Sequence, residues 1–373
     1  MKISDFKLTK GNRTRICAKI TFEDCDQPEK EIFIETSNEF GSSINLNPSA
    51  FLVGSIIPAL YFKERRVAVD GRISPFLIEG LETVMALMEN WTKGEFKPLV
   101  IESSRAVSLF EQLPGNRAGM VFSGGVDSIA ALRLNRLRYH KNHPGYIRDC
   151  FFIHGFDIGG VVERGMKYHV FERAFNAMEK ITHDAEAELI PVYTNIRHLC
   201  DERDLWLNRF FGAVLASVAH AFSSRINLFY IASSYDVNNL VPCGSHPLLD
   251  PEYSSFDVRI RHRDLSWSRI DKIRLISDWD NGLKHLRVCL ANVKDHLNCG
   301  KCEKCIRTMT ALLAVDALHK SDAFIENDVT PEMFEPFKIN IRHREPFYCE
   351  LIPLLKEKGR DDLVDTIKEK FVE

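Results

Sequence analysis

The chain has 373 residues, of which 45% are hydrophobic and 27% are charged, and its formal net charge at pH 7 is −3. This composition is typical of a globular protein with room for two domains, and the small net charge does not favour a nucleic-acid partner. The sequence has no apolar run of about 18 residues and no basic leader before an apolar core, so we expect a cytoplasmic protein without a membrane anchor.

Residues 1–110 are predicted to form a small α+β accessory domain. The segments 15–22 and 31–36 alternate apolar and polar residues and are rich in β-branched side chains, which predicts strands. The segments 49–60 and 74–91 are predicted as helices or buried segments, the second on apolar residues at helical spacing. No chemical motif occurs here, so we expect a scaffold that caps substrate, dimerises or docks a partner.

From residue 118 the pattern changes to short apolar segments that alternate with helical ones. Strands are predicted at 118–122, 150–154, 188–193 and 227–232, and helices at 126–141, 162–185 and 207–224. Four such strands predict an α/β fold whose parallel sheet is covered by helices on both faces. We assign this domain to 115–320 and a charged helical tail to 321–373. Ligands of such sheets bind beyond the carboxyl ends of the strands.

The segment 123–128, which reads Ser-Gly-Gly-Val-Asp-Ser, lies between the first of these strands and the first helix. A strand, a glycine-rich turn and a helix together point backbone N–H groups at an anion. Ser123 and Ser128 add hydroxyl donors, and Asp127 either helps to bind Mg²⁺ or caps the helix. The segment matches neither the Walker pattern nor the dinucleotide-binding glycine pattern.

A second signal comes from four cysteines near the end of the α/β region, preceded by a predicted helix around 268–279 and a predicted short strand at 286–288. The four are Cys289, Cys299, Cys302 and Cys305, with Gly300 inside the tight turn. Thiolates at this spacing can close a tetrahedral shell around one metal ion, which is typical of structural zinc. An iron–sulfur cluster also takes four cysteines, so both metals stay open.

The loop and the cysteine cluster together resemble the PP-loop N-type ATP pyrophosphatases, and in particular 7-cyano-7-deazaguanine synthase and its relatives. The resemblance covers 118 to about 315 and implies a Rossmann-like sheet of the HUP class. It implies that the four cysteines bind Zn²⁺ and that Asp127 and Ser128 lie at the catalytic centre. It also implies an ATP-dependent C–N ligase, which uses Mg²⁺ and cleaves ATP to AMP and pyrophosphate. The ligase would activate a deazaguanine-like carboxylate for attack by ammonia or an amine.

The candidate site residues follow from this resemblance and from their places after strands. For ATP they are Ser123, Gly124, Gly125, Val126, Asp127, Ser128 and Asp157. For the second substrate they are Asp236 and Asp250, whose carboxylates match the paired N–H donors of a guanine-like edge. His154, Thr194, Asn195, Ser233 and Ser234 also follow strand ends and are expected near the same crevice. The family's substrate-loop motif is absent at 244–251, so the resemblance supports ATP cleavage more strongly than the identity of the acceptor.

Three alternatives remain. The extra residues 1–110 make a macromolecular acceptor plausible, such as a protein partner to which a deazapurine is conjugated, for example in antiviral defence. A tRNA-thiolating PP-loop enzyme is disfavoured by the small net charge and by the lack of a sulfur-carrying cysteine pair. We interpret the basic cluster at 259–263 as a solvated face or as phosphate counter-charge. The third alternative is a nucleotide-binding module without turnover. The sequence leaves open whether the protein is a homodimer.

Overall fold

The computed structural model describes residues 1–105, 115–291, 293, 296–340 and 345–372. Ten of its strands belong to one sheet: β1 (Lys2–Lys10), β2 (Arg13–Thr21), β3 (Lys30–Ser37), β4 (Arg66–Ile73), β5 (Val100–Arg105), β6 (Arg117–Val121), β7 (Ile147–His154), β8 (Glu188–Thr194), β9 (Ile226–Ala232) and β10 (Arg259–Arg263). A separate pair in the tail consists of β11 (Ile339–Asn340) and β12 (Phe371–Val372).

Helices cover the sheet and form most of the tail. They are α1 (Pro48–Tyr61), α2 (Pro75–Trp91), α3 (Val126–Arg138), α4 (Tyr168–Asp184), α5 (Arg203–Leu205), α6 (Phe211–Ala221), α7 (Arg269–Ser277), α8 (Asp280–Lys284), α9 (Glu303–Ala314), α10 (Glu345–Cys349), α11 (Leu351–Glu357) and α12 (Asp361–Glu369). None of the helices in the described ranges combines the length and the apolar character needed to cross a bilayer.

The strand order is β10-β9-β6-β7-β8-β3-β2-β1-β4-β5. The first five strands in this order, which include the four that the sequence predicts, pair in parallel. Strand β8 is buried along nearly its whole length, as expected for a parallel strand covered on both faces. The predicted α/β class with a parallel sheet is therefore confirmed, and the carboxyl ends of β6 to β10 lie at one edge.

The first 105 residues extend this same sheet. Strand β3 pairs antiparallel with β8, with Ile34 opposite Thr194 and Thr36 opposite Val192. Two threonine hydroxyls reinforce the junction, because Thr36 donates to the Pro191 carbonyl at 2.7 Å and Thr194 donates to the Phe33 carbonyl at 2.7 Å. The predicted domain boundary between 110 and 115 lies largely outside the described residues, and the division into domains stays a prediction.

Two hydrophobic cores fill the faces of the sheet. One packs α1, α2 and α6 against one face, and the other packs α3, α4, α7, α9 and the tail helices against the opposite face. The second core includes the buried Cys289 and Cys305, so the cysteine segment is anchored beside α3. The β6–α3 connection begins and ends in the second core, which includes Phe122 and Val126.

Two elements differ from the sequence-based expectation, and one strand was not predicted. The helix predicted at 162–185 begins only at Tyr168, because Gly165 adopts a positive φ of 70° that ends the preceding helical turn. The predicted strand at 286–288 has no partner strand among the described residues. The basic cluster at 259–263, for which no element was predicted, forms the edge strand β10, where Ile260 packs into the core between flanking arginines.

Candidate functional site

The loop between β6 and α3 has the geometry of an anion cradle. Gly124 adopts a φ of 74°, and a Cβ there would lie 1.9 Å from the Met178 sulfur, so only glycine fits. Gly125 is the N-terminal cap residue of α3, and no side chain in the described part of the chain caps that helix. The N–H groups of the first turn of α3 therefore point to a space that an anion could occupy.

Two serine hydroxyls border the cradle. Ser123 is exposed, and its Oγ accepts a hydrogen bond from the Gly125 N–H at 3.3 Å. Ser128 is buried and donates to the Gly125 carbonyl at 3.1 Å, while the two Oγ atoms are 3.4 Å apart. Both hydroxyls can therefore reorient toward a ligand held by the loop.

Asp127 does not cap α3 but forms ion pairs. Its carboxylate oxygens lie 3.2 Å from Arg269 Nη2 and 3.2 Å from Lys272 Nζ, and Ser234 Oγ donates to it at 3.4 Å. Burial alone would raise the pKa of Asp127, but the charges of Arg269, Lys272 and Arg307 outweigh it and lower the pKa. Asp127 is thus held as a carboxylate among cations.

The two cations of α7 were not identified from the sequence. Arg269 and Lys272 are three residues apart in its first turns and therefore lie on the same helical face. Lys272 is 1% exposed, and its Nζ also donates to the Ser233 carbonyl at 2.6 Å. A lysine buried to this extent is rare unless it is paired. The sequence signal that could have predicted this pair of cations is the three-residue spacing of Arg269 and Lys272 directly after the Ser268 capping box.

Arg287 links the cysteine segment to the loop. Its backbone N–H donates to the Gly124 carbonyl at 2.8 Å, and its side chain is buried, which lowers its pKa. Its Nη1 lies 3.9 Å from a carboxylate oxygen of Asp157, which is 39% exposed. Arg287 therefore links the predicted Asp157 to the loop, through its side chain on one side and its backbone on the other.

The two aspartates predicted to bind the second substrate are engaged within their own segments. Asp236 accepts hydrogen bonds from the Asn238 N–H at 2.8 Å and from Asn239 Nδ2 at 2.9 Å. Asp250 is fully buried and accepts from Ser245 Oγ at 2.6 Å and from His262 Nδ1 at 2.7 Å. These contacts are structural, and the substrate-binding role of both residues stays a prediction.

The other polar residues at strand ends divide into two groups. Ser233 and Ser234 contact the loop residues through Lys272 and Asp127, as described above. Asn195 instead bonds to β3 and its flank, accepting from the Phe33 N–H at 2.8 Å and donating to the Glu31 carbonyl at 2.9 Å. Thr194 and Asn195 thus use their polar groups in the junction with β3, and their place near the crevice stays a prediction.

The four predicted cysteines come together in one cluster. Their sulfur atoms all lie within 4.8 Å of one another. Cys302 Sγ is 3.5 Å from Cys305 Sγ and 3.9 Å from Cys289 Sγ, and Cys299 Sγ is 3.8 Å from Cys305 Sγ. A tetrahedral ion about 2.3 Å from each sulfur would place the sulfurs about 3.8 Å apart. The cluster therefore fits zinc.

Backbone and side-chain hydrogen bonds pre-form this cluster. Gly300 has a φ of 68°, and the turn that it makes directs the N–H groups of Lys301 and Cys302 at the Cys299 sulfur, at 3.5 Å and 3.3 Å. Asn298, which sequence reasoning missed, accepts from the N–H groups of Val288 and Cys289 at 2.8 Å and 3.1 Å. Asn298 therefore joins the segment that carries Cys289 to the segment that carries the other three cysteines.

Comparison of the chain with protein-family models, with curated proteins and with solved structures gave no match.

Proposed function

We propose that this chain is an ATP-dependent adenylating ligase, similar to 7-cyano-7-deazaguanine synthase, that cleaves ATP to AMP and pyrophosphate. The observation that carries the proposal is the uncapped glycine loop between β6 and α3, with the buried Lys272 and the partly buried Arg269 beside it. Backbone N–H groups and a helix N-terminus bind phosphate oxygens. Lys272 and Arg269 supply the positive charge that a polyphosphate and its leaving group require.

In the proposed reaction, a carboxylate oxygen of the substrate attacks the α-phosphorus of ATP. The bond from that phosphorus to the oxygen bridging to the β-phosphorus breaks, and pyrophosphate leaves. A nitrogen nucleophile then attacks the acyl carbon, the bond to AMP breaks, and an amide forms. The loop N–H groups with Ser123 and Ser128 hold the phosphates, and the cations of α7 neutralise the departing charge.

Asp157 is the better candidate for holding Mg²⁺, because its carboxylate is partly exposed, which suits a hard cation, and is linked to the loop through Arg287. Asp127 is already balanced by Arg269 and Lys272 and is the poorer candidate. When bound with ATP, Mg²⁺ would supply further neutralisation of phosphate charge.

We assign the cysteine cluster a structural zinc ion. Four thiolates fill the coordination shell, which leaves no position for an activated water. The ion would hold the segment that carries Arg287 against the loop, so its effect on turnover would be indirect.

The test is turnover of the purified chain with ATP, Mg²⁺ and carboxy-deazaguanine, with and without ammonia. We expect AMP and pyrophosphate by chromatography, and an amide product by mass spectrometry. ADP as the only nucleotide product would contradict the proposal. A mass increase on a co-expressed protein, rather than on the small molecule, would identify a protein amine as the acceptor.

A further inference from the structure

The C-terminal tail reaches the cations of the loop site through one aromatic ring. Phe347, on α10, is 6% exposed, and its ring centroid lies 4.7 Å from Cζ of Arg269 and 4.8 Å from Cζ of Arg307. Arg269 pairs directly with Asp127, and Arg307 contributes to the lowered pKa of that carboxylate. A single side chain of the tail therefore contacts both guanidinium groups.

Neighbouring tail residues hold the helices that carry these arginines. Tyr348 donates its hydroxyl to Glu303 Oε1 at 3.2 Å, and the same oxygen is 3.4 Å from Arg307 Nη1. Glu350 Oε2 accepts a hydrogen bond from the Ile270 N–H at 2.8 Å, in the first turn of α7. The first turns of α7 and α9 are thus both fixed by the segment 347–350.

The ring of Phe347 also packs against a second aromatic side chain. The ring of Tyr235, which follows β9, is stacked with Phe347 at a centroid separation of 5.4 Å and an interplanar angle of 15°. The negative face of an aromatic ring attracts a guanidinium group. A ring that Tyr235 and its own helix hold in place can therefore keep both arginines in position before any anion arrives.

We infer that Phe347 is a positioning residue of a polyphosphate site, which orients Arg269 and Arg307 toward the phosphates of a nucleotide. This inference rests on the proposed function, and it makes the C-terminal tail part of the site rather than an appendage. The ligand class that it implies is an anion with several linked phosphates, because one phosphate held by the loop would not need two further guanidinium groups.

The test measures the affinity of the full chain for ATP, for inorganic pyrophosphate and for adenosine by calorimetry. Phe347→Leu keeps an apolar side chain of similar size but removes the aromatic face. We expect it to weaken ATP and pyrophosphate binding about tenfold and to leave adenosine binding unchanged. Phe347→Tyr keeps the aromatic face and should bind all three ligands like the wild type.

Phe337→Leu is the matched control, since Phe337 packs in the same tail against Phe334 at 5.5 Å. It should not change any of the three affinities. Unchanged ATP affinity in Phe347→Leu, or an equal loss for adenosine, would overturn the inference while leaving the proposed function intact. Failure of the wild-type chain to bind ATP would instead remove the proposed function itself, and the inference with it.

Discussion

At the scale of single residues, Asp127 balances the charges of the loop site. Lys272 is almost completely buried, and an unpaired ammonium there would be strongly destabilising. Asp127 supplies the compensating charge from the first turn of α3, where the helix dipole favours a carboxylate. One carboxylate faces the two cations Arg269 and Lys272, so the pairing leaves a net positive charge, and an incoming phosphate would meet cations that are already oriented.

This balance makes stability depend on the ionisation of Asp127. Asp127→Asn should lower the free energy of unfolding at pH 7 by about 1–3 kcal/mol, because it leaves a buried cation without its carboxylate. The folded-state pKa of Asp127 is lowered, so its contribution is present above the unfolded pKa of about 4 and is lost as pH falls through the folded value. Urea unfolding of both proteins at several pH values measures the difference. A difference that does not shrink below about pH 4 would contradict this account.

A substitution at Gly125 tests ATP binding by the loop separately from the stability of the fold. A Cβ at this position would meet Ser123 Oγ at 3.4 Å and the Arg287 carbonyl at 3.7 Å, and its φ is −82°, so a side chain fits without backbone strain. Gly125→Val should therefore fill the cradle and abolish ATP binding by calorimetry, while the melting temperature falls by only about 3 °C.

Gly11→Val is the control for that variant, because a Cβ at residue 11 meets nothing within 4 Å. It should keep both stability and ATP affinity. ATP affinity that survives in Gly125→Val would argue against the loop as the phosphate site.

At the scale of elements, the cysteine segment and the loop form one connected unit. The Arg287 N–H bond to Gly124 lies two residues before the first ligand, Cys289. Asn298 holds the backbone of Cys289 from the other arm and donates to the Leu286 carbonyl at 2.8 Å. Loss of order in the cysteine cluster would therefore reach the loop at 123–128 through a single short segment.

Cys302→Ser should remove the metal and weaken nucleotide binding together. We expect one zinc ion per wild-type chain by elemental analysis, none in the variant, and a lower melting temperature because a structural metal contributes directly to folding. Cys349→Ser, on the exposed thiol of the tail, should retain the metal. Full zinc content in Cys302→Ser would contradict the four-thiolate site, and a brown wild-type protein would indicate an iron–sulfur cluster on the same residues.

The elements that sequence could predict are those with a local signature. Three features have a pattern that can be recognised within a short stretch of sequence. The loop at 123–128 has glycines at a tight turn, the four cysteines have the spacing of metal ligands, and the parallel strands are apolar runs between helices. Lys272, Asn298 and Phe347 have no such pattern. Each acts on a residue at least nine positions away, and a long-range contact leaves no periodicity in the sequence.

At the scale of the whole molecule, the sheet continues through the junction of β3 and β8. Pairing across that junction satisfies backbone groups of β8 that would otherwise form an open edge. Helix α1 also packs on α6, where Ser217 Oγ donates to the Ala50 carbonyl at 2.6 Å. The first 105 residues therefore complete both the sheet and one of its two cores.

A fragment that begins at residue 115 should not fold stably by itself. It would expose the edge of β8 and the apolar face of α6, and exposed edges of this kind associate with other chains. We expect aggregation of 115–373 expressed alone and recovery of soluble protein when 1–105 is co-expressed, because the missing strands can then pair with β8. Size-exclusion chromatography and urea unfolding measure both outcomes. A monomeric 115–373 fragment that unfolds cooperatively would show instead that the residues from 115 onward form an independent domain, with the sheet joined only after each part has folded.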